Sequence, residues 1–321
     1  MPDSEAFVTD TEPHRRELLA HCYRMLGSVD DAEDLVQETY LRAWRSYDRF
    51  EGRSSVRTWL YQIATNACLT ALASHSRRVL PAGLGGPEAD PEAAPVPAGS
   101  GVSWLQPIPD AVLSRDSTDP AALAVGRESV RLALVASLQF LPGTQRAVLI
   151  LRDVLAFPAA EVAAVLGTTT ASVKSALQRA RARLQDLAPS VEDIVPPTGP
   201  QARTLLDQYI AAFENADATA LERLLCRDAT IQATPFRTWF DGCATCVPFL
   251  RTWVLGAPGD WRMFPTGANG QPAAAIYARD RQGSYRPYGV VVLTVTRRGI
   301  RQIVSFDDPA LVARFGFPPA C

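Results

Sequence analysis

Two segments in the first quarter of the chain repeat their apolar residues at intervals of three and four positions. The first, residues 28–47, sets an apolar stripe against acidic and polar positions, and the second, residues 54–72, shows the same spacing. Ser28 or Asp30 can cap the first helix, and Ser54 or Ser55 can cap the second. The pattern predicts an all-helical block that ends near residue 78. The stripe of the first segment consists of Ala32, Leu35, Val36, Tyr40, Ala43 and Trp44.

A second helical pattern lies between residues 157 and 184. A short apolar segment has Pro158 in its first turn and Gly167 at its end, and a longer segment, 171–184, follows three threonines. On the longer segment, one face is apolar. The opposite face carries Ala171, Ser175, Gln178 and Ala182, flanked by Lys174, Arg179, Arg181 and Arg183.

This arrangement is typical of a helix-turn-helix. Small residues let a helix enter the major groove, Ser, Gln and Lys side chains reach base edges, and Arg side chains neutralise phosphates. The alternative is a surface helix hairpin with solvated charges, because apolar periodicity of this kind is common. From this pattern alone both interpretations remain open.

Two stretches poor in apolar residues divide the chain. Residues 79–119 are rich in Pro, Gly and Ala, and residues 189–200 carry three prolines. Such sequences lack the apolar mass to fold alone, so we expect a flexible linker and a Pro-rich linker. They separate three blocks, residues 1–78, 120–188 and 201–321.

Composition and charge exclude some classes of protein. The chain has 321 residues, 47% of them apolar, with 32 basic against 34 acidic side chains. The near-neutral total gives no sign of a nucleic-acid binder and by itself suggests an ordinary soluble enzyme. Neither a spanning apolar run nor a signal core is present, so we expect a cytoplasmic protein without membrane contact. Six scattered cysteines are too few for a disulfide framework.

The two helical blocks together resemble a known family. The sequence DAEDLVQETYLRAWRSYDRFEGRSSVRTWLYQIATNACL is similar to region 2 of bacterial sigma factors of the extracytoplasmic-function (ECF) group, in the sigma-70 family. LPGTQRAVLILRDVLAFPAAEVAAVLGTTTASVKSALQRARARL is similar to region 4 of the same group. The order and the spacing also agree. The resemblance covers about residues 10–188 and implies a transcription initiation factor that binds core RNA polymerase and promoter DNA.

The resemblance implies roles by position. Region 2 would bind the clamp helices of the polymerase β′ subunit, region 4 would meet the β flap, and an anti-sigma factor is a possible partner. Phe50 and Asn66 match positions that line a pocket for a flipped base of the −10 element. The implied polymerase-binding residues are Asp34, Leu35, Gln37, Glu38 and Arg42. The implied DNA-binding residues are Phe50, Arg53, Asn66, Lys174, Ser175, Gln178, Arg179 and Arg181.

Some details depart from the family pattern or need a separate interpretation. In the −10 turn an acid, Glu51, precedes Gly52 and Arg53, the reverse of the usual order, so the base preference of this turn cannot be read from the sequence. Trp59, Tyr61 and Ile63 are expected to pack in the helix core. The segment SWLQPIPD at 103–110 resembles a Trp- and Pro-containing motif of sigma factors with an extra C-terminal domain, and it suggests a docking peptide.

The third block predicts an α+β domain. One amphipathic helix, or two, occupies 201–225, and strand-like runs follow at 229–234, 273–279, 288–296 and 300–306. Helices followed by strands indicate an α+β fold with an antiparallel sheet. The phrase YIAAFENADATALERLLCRDATIQATP is similar to the SnoaL-like polyketide-cyclase family, which implies a cone-shaped fold with an apolar pocket.

Candidate chemistry in the third block is limited. The three histidines of the chain all lie in the first block, so an acid or base here must be a carboxylate, Tyr or Cys. Asp241 and Asp307 are candidates, and Tyr209, Trp239, Asp241 and Tyr288 form a possible pocket for a small-molecule ligand. Cys243 and Cys246 form a lone CATC pair, interpreted first as structural, then as a redox pair, and last as half of a zinc site.

The sequence therefore predicts a multidomain sigma factor: all-α regions 2 and 4, then a SnoaL-like α+β domain that modulates activity. We expect no catalytic residues, no metal and no cofactor. The alternative is a small-molecule-binding or cyclase-like enzyme domain tethered to a DNA-binding module. A third interpretation keeps the sigma factor and makes the last domain a ligand-gated switch.

Overall fold

A computed structural model describes residues 4–52, 54–74, 76–113, 130–187 and 199–321. The chain divides into two compact units. The first unit contains Met1–Arg78 and Val112–Pro189, and the second contains Val79–Ala111 and Ser190–Cys321. The first unit therefore joins the two helical blocks, whereas the second joins the C-terminal block to most of the segment expected to be a flexible linker.

The first unit is built from helices, and these include helices within the segments predicted at 28–47, 54–72 and 157–184. Side chains on the inner faces of these helices are almost fully buried, among them Leu18, Tyr23, Leu60 and Tyr61. Burying each such side chain stabilises the fold by about 1.5–3 kcal/mol. The helices up to residue 187 are α1 (Ser4–Thr11), α2 (Arg15–Leu26), α3 (Val29–Ser46), α4 (Val56–Ser74), α5 (Asp110–Leu113), α6 (Leu132–Leu138), α7 (Gly143–Leu149), α8 (Ala159–Val165) and α9 (Thr170–Leu187).

Serine caps and one glycine set the limits of the helices in the first block. Gly27 ends α2 in the left-handed conformation, with φ at 70°. Ser28 then caps α3, because its Oγ accepts a hydrogen bond of 3.2 Å from the amide of Asp31. Ser55 does the same for α4, accepting from the amide of Thr58 at 3.0 Å. Of the cap candidates in the sequence, Ser28 and Ser55 are therefore the ones that form the caps.

The helix-turn-helix pattern forms from α8 and α9. Pro158 is the N-cap residue of α8, and Gly167 follows the helix with a positive φ of 61°. Thr169 caps α9, since its Oγ1 accepts a 3.2 Å hydrogen bond from the amide of Ser172. The threonine run therefore forms the turn and cap that the sequence predicts.

The second unit is α+β, as predicted. Its helices are α10 (Pro200–Glu214), α11 (Ala218–Leu224), α12 (Cys243–Phe249) and α13 (Pro309–Arg314). Its strands are β1 (Leu225–Thr234), β2 (Trp239–Asp241), β3 (Trp261–Ala268), β4 (Gln271–Arg279), β5 (Tyr285–Thr296) and β6 (Gly299–Phe306).

Within the described residues the strands form one sheet in the order β2-β1-β6-β5-β4-β3. The expectation of a wholly antiparallel sheet is corrected at one place, because β1 and β6 are parallel. The chain leaves β1 through β2, α12 and the meander β3–β4–β5 before β6 returns beside β1, and a parallel pair requires such a long crossover.

Two strands, β2 and β3, are absent from the sequence prediction. β2 has only three residues, too few for a visible alternation. β3 contains Pro265, which normally argues against a strand. Because β3 lies at the edge of the sheet, its proline does not interrupt an inner ladder.

The main core of the second unit lies between the helices and one face of the sheet. Tyr209 and Phe213 from α10 pack there with apolar side chains of β1, β3, β4, β5 and β6. In a second, separate apolar cluster, Val312 of α13 packs with Ala275 and Tyr277 of β4. Of the two possibilities left open by the sequence, one amphipathic helix or two, the structure has two, α10 and α11.

The segment 79–111, called the strap below, differs from the expected flexible linker because it is hydrogen-bonded to the sheet. Near β2, the amide of Glu88 donates to the carbonyl of Trp239 at 2.8 Å, and the amide of Ala98 donates to that of Pro235 at 2.9 Å. In the other direction, the Trp239 indole donates to the carbonyl of Gly85 at 2.8 Å. The strap has little apolar mass of its own, so the sheet edge supplies its hydrogen-bond partners.

The SWLQPIPD motif docks at the opposite edge of the sheet, on the β3–β4 turn. The amide of Ile108 donates to Asn269 Oδ1 at 3.1 Å, and the amide of Asn269 donates back to the carbonyl of Ile108 at 3.0 Å. Asp110 accepts from the amide of Gly270 at 2.7 Å. Leu105 and Ile108 are fully buried. The motif is a docking peptide in this structure, as interpreted from the sequence.

Candidate nucleic-acid interface and C-terminal site

The outward face of α9 carries the predicted base-reading residues. Val173, Ala176 and Ala180 are buried on the inner face, which fixes the orientation of the helix. The five predicted DNA contacts of α9 are all exposed: Lys174, Ser175, Gln178, Arg179 and Arg181. The geometry therefore presents a polar, cationic helix face of the width that a major groove accepts.

Two arginines on this face differ in their partners. Arg179 donates to the hydroxyl of Ser175 at 2.5 Å, one turn earlier on the same helix. Arg181 instead makes two hydrogen bonds to the carboxylate of Asp153, at 2.7 and 2.8 Å. These bonds raise the pKa of Arg181 above its usual value. The positive charge of Arg181 is thus paired with the carboxylate of Asp153. From the sequence alone, Arg181 was expected to be an unpaired cation that contacts DNA.

The predicted −10 residues lie beside α4. Phe50 is half-buried, and its ring lies 4.8 Å from the ring of Trp59. Asn66 is exposed and stands seven residues after Trp59, hence two turns along the same helix face, about 11 Å. Trp59 therefore supports Phe50 and is only partly core, while Tyr61 is fully buried as expected. Arg53 lies outside the described residues.

The predicted polymerase-binding residues share α3. Asp34, Gln37 and Arg42 are exposed, and Leu35 and Glu38 are half-buried. Glu38 and Arg42 form an ion pair of 2.6 Å one turn apart. Leu41, on the same helix, is also exposed, although the sequence prediction omits it. Its side chain is 57% exposed. The sequence could have indicated this exposure, because Leu41 lies outside the apolar stripe.

The predicted C-terminal pocket residues fall into two groups. Tyr288 donates a hydrogen bond of 2.8 Å from its hydroxyl to Asp307. Burial raises the pKa of Tyr209, and the charge of Asp307 raises it further. Trp239 and Asp241 lie together on β2, where Trp239 binds the strap and Asp241 is exposed. The structure therefore brings Tyr209 and Tyr288 to Asp307, and leaves Trp239 and Asp241 in a separate place on the sheet.

The electrostatics of Asp307 follow from its burial. Burial raises the pKa of its carboxyl group, while hydrogen bonds donated by Ser305 at 2.6 Å and by Tyr288 lower the pKa in part. Burial also raises the pKa of Tyr288, and the Asp307 charge raises it further.

Comparison with known proteins gives the family. Residues 11–78 match the family model "Sigma-70 region 2", and residues 131–184 match "Sigma-70, region 4". The chain is 49% identical to the "ECF RNA polymerase sigma factor SigG" of Mycobacterium tuberculosis over 314 residues, which cover 97% of this chain and 84% of that protein. The chain belongs to the ECF sigma factors of RNA polymerase. Its function is promoter-specific transcription initiation with core RNA polymerase.

Other sigma factors are similar over shorter parts or in fold. SigJ of Mycobacterium tuberculosis is 34% identical over 177 residues, 54% of this chain and 48% of that protein. The crystal structure of SigJ matches with a TM-score of 0.60 at 24% identity, covering 97% of this chain and 99% of that one, and shows the shared fold. None of the helices among the described residues is long and apolar enough to cross a membrane.

In this sigma factor, region 4 contacts region 2 through a buried arginine. Arg146 of α7 is 4% exposed and donates to the backbone carbonyl of Met25, at the end of α2. It also donates to Gln139 Oε1 at 2.7 Å and to the carbonyl of Leu141 at 3.1 Å. Gln139 Nε2 donates to the carbonyl of Arg24 at 3.3 Å. Burial lowers the pKa of Arg146 to about 10.

A second contact joins α8 of the helix-turn-helix to the start of α4. The guanidinium of Arg57 lies 4.5 Å from the ring centroid of Phe157 and is paired with Glu17 at 3.1 Å. The hydroxyl of Thr58 donates to Glu161 at 3.1 Å. The first turn of α4, which follows the predicted −10 turn, is therefore covered by region 4 in this sigma factor.

The CATC pair of this sigma factor shows no sign of activation. Cys246 is buried, donates to the carbonyl of Ala229 at 3.4 Å, and has its pKa raised to about 12 by burial. Cys243 is half-buried, its pKa is also raised, and both thiols are free. Among the described residues no group of three His, Cys, Asp or Glu side chains could hold a metal ion. These observations favour the structural interpretation, since a reactive cysteine needs a lowered pKa.

Proposed function

We propose that α9 reads the −35 element of the promoter through Ser175, Gln178, Lys174 and Arg179. The observation that carries this role is the exposure of one polar, cationic helix face in a helix-turn-helix whose other face is buried. Gln can pair with adenine edges and Lys with guanine, while Arg179 neutralises phosphate. Arg181 has a secondary role here because Asp153 already binds it.

In region 2, Phe50 and Asn66 would hold a flipped base of the −10 element, and α3 would bind the β′ clamp helices. The exposed residues of α3 give a mixed surface in which Leu41 is an apolar centre between charged neighbours, an arrangement that suits a protein interface. Arg53 remains a proposed DNA contact from sequence alone.

The α3 surface can be tested by titrating purified core RNA polymerase with the full chain. Leu41→Asp and Asp34→Lys should each weaken core binding at least tenfold. Asp207→Lys, at an exposed acid of the second unit, is the matched control and should bind as the wild type does. Equal core affinity of all four proteins would contradict the assignment of α3.

We further propose that the C-terminal domain modulates initiation by holding the strap. The support is the hydrogen bonding of the strap to both edges of the sheet. The strap connects region 2 to region 4 along the chain. When the strap is held on the sheet, the distance to which the two regions can separate is limited, and when it is released, that limit is relaxed. We also propose that the chain has no catalytic activity of its own, because it belongs to the sigma factors. A turnover screen on the full chain would test this proposal.

Asn269→Gly offers a specific test of strap docking. Asn269 has a positive φ of 56°, which glycine adopts without strain, but glycine lacks the oxygen that accepts from Ile108. We expect faster amide exchange at Ile108 and changed promoter output with the holoenzyme. Unchanged exchange and unchanged output would contradict the proposal.

A further inference from the structure

Four aromatic rings form a continuous row beside Asp307 in the core of the second unit. Ring centroids are 5.6 Å apart from Tyr209 to Phe213, 5.9 Å from Phe213 to Trp261, and 5.0 Å from Trp261 to Tyr288. Tyr288 is joined to the carboxylate of Asp307 by its hydroxyl. The row runs from α10 across β3 to β5, and the carboxylate follows β6.

The row has a closed end and an open end. Tyr209 and Phe213 are 1% and 5% exposed, whereas Trp261, Tyr288 and Asp307 are only partly buried. The exposed part of the row is therefore on the side of Asp307. The indole N–H of Trp261 is shared between the carbonyls of Val254 and Leu255, at 2.9 and 3.1 Å, so its ring is held in place.

Asp307 has no cationic partner among the described residues. Its hydrogen bonds come from two neutral hydroxyl groups, those of Ser305 and Tyr288. A carboxylate offers about four acceptor positions, so two remain for further donors. A partly buried carboxylate without an opposite charge is costly, and that cost falls when a cation binds.

We propose that this carboxylate and the aromatic row bind a protonated amine that carries an apolar body. The ammonium N–H groups would donate to the free acceptor positions of Asp307, and the ring faces of Trp261 and Tyr288 attract positive charge. The apolar body would lie toward Phe213 and Tyr209. An anionic ligand is repelled by Asp307, and a neutral ligand gains nothing from its charge.

The proposal does not depend on the role of the chain in transcription. The site belongs to the C-terminal domain alone, so failure to bind an amine leaves the sigma factor assignment intact. It also differs from the pocket expected from the sequence, because Trp239 and Asp241 take no part.

Isothermal titration of the full chain can test the charge preference with three probes of similar size. These are 2-phenylethylamine, its neutral counterpart 2-phenylethanol, and the anion 3-phenylpropionate. The amine should bind at least tenfold more tightly than the alcohol, and the anion should not bind. Equal binding of amine and alcohol by the wild type would overturn the proposal without any variant, as would no binding of the amine at 10 mM.

Substitutions locate the site. Asp307→Asn should weaken amine binding at least tenfold and leave binding of the alcohol unchanged. Asp241→Asn is the matched control, because Asp241 is an exposed carboxylate of the same domain, and it should bind the amine as the wild type does. Tyr288→Phe keeps the ring and the charge, so its affinity should stay within about threefold. Retained amine affinity in Asp307→Asn would overturn the assignment, and circular dichroism checks that each variant is folded.

Discussion

Arg181 and Asp153 form a two-point ion pair in which Nε and Nη2 of the arginine each bind one carboxylate oxygen, at 2.8 and 2.7 Å. Asp153 lies in the π-helical turn Ile150–Val154 that precedes α8. The pair thus joins the recognition helix to the segment that leads into the first helix of the motif. Because Asp153 binds the guanidinium of Arg181, that group is less available to a phosphate than the guanidinium of Arg179.

This difference predicts separate effects on the salt dependence of promoter binding. Arg179→Ala should lower the slope of log affinity against log salt concentration by about 0.9, the value for one lost phosphate contact. Arg181→Ala should lower it by less than half of that amount, because Asp153 already balances its charge. Anisotropy titrations of the holoenzyme on labelled promoter DNA would measure both slopes. Equal reductions would show that Arg181 leaves Asp153 to contact DNA.

Gln178 is predicted to read a base. Gln178→Ala should weaken binding to the cognate −35 sequence by about 1–3 kcal/mol and leave binding to a sequence altered at the contacted base nearly unchanged. Gln282→Ala, at an exposed glutamine of the C-terminal domain, serves as the control. A uniform loss on all promoters would instead indicate a non-specific contact.

Arg146 is predicted to stabilise the first unit, because its guanidinium satisfies buried backbone carbonyls of both regions. Arg146→Ala should lower the free energy of unfolding by about 2–4 kcal/mol, since it leaves several buried acceptors without donors. Arg146→Lys should recover part of the loss through a single retained donor group. Urea unfolding followed by circular dichroism would measure it. Wild-type stability in Arg146→Ala would contradict this role.

His21 predicts how the stability of the first unit depends on pH. It is fully buried, accepts or donates a 3.0 Å hydrogen bond with Thr65, and burial together with Arg24 lowers its pKa to about 3. The unfolded chain has an ordinary histidine pKa of about 6.5, so this stabilisation is complete above pH 6.5 and is lost as pH falls toward 3. Between pH 7 and pH 5 the loss should be about 2 kcal/mol.

His21→Gln isolates this effect. The variant cannot take up the proton, so its free energy of unfolding should fall less than that of the wild type between pH 7 and pH 5. Urea titrations at the two pH values would compare them. Identical falls would mean that His21 does not control the pH dependence.

Local patterns predicted the helices, the caps and the helix-turn-helix, because those features depend on residues close together in sequence. Ser28, Ser55 and Gly167 act as their positions suggest. The sequence indicated that the SWLQPIPD motif docks, but not that the rest of the strap does, because its Pro- and Gly-rich composition carries no sign of partners that lie more than 130 residues away on a sheet edge. The pairing of Asp153 with Arg181, which are 28 residues apart in sequence, also has no local signal.

In the candidate sites too, features that depend on neighbouring residues were predictable, and features that depend on distant residues were not. Exposure of Lys174, Ser175 and Gln178 followed from helical periodicity. The grouping of Tyr209 and Tyr288 with Asp307, and the separation of Trp239 and Asp241 from them, depends on strand order. The parallel pairing of β1 with β6, which decides that order, has no local signal.

Run-off transcription with purified core RNA polymerase and the full chain, on fragments of genomic DNA, tests the central claim most directly. The account predicts discrete transcripts that appear only when the chain is added. It also predicts that these transcripts are lost when the −35 sequence of the promoter is altered. If the chain neither binds core enzyme nor changes the start sites, its role as a sigma factor is contradicted.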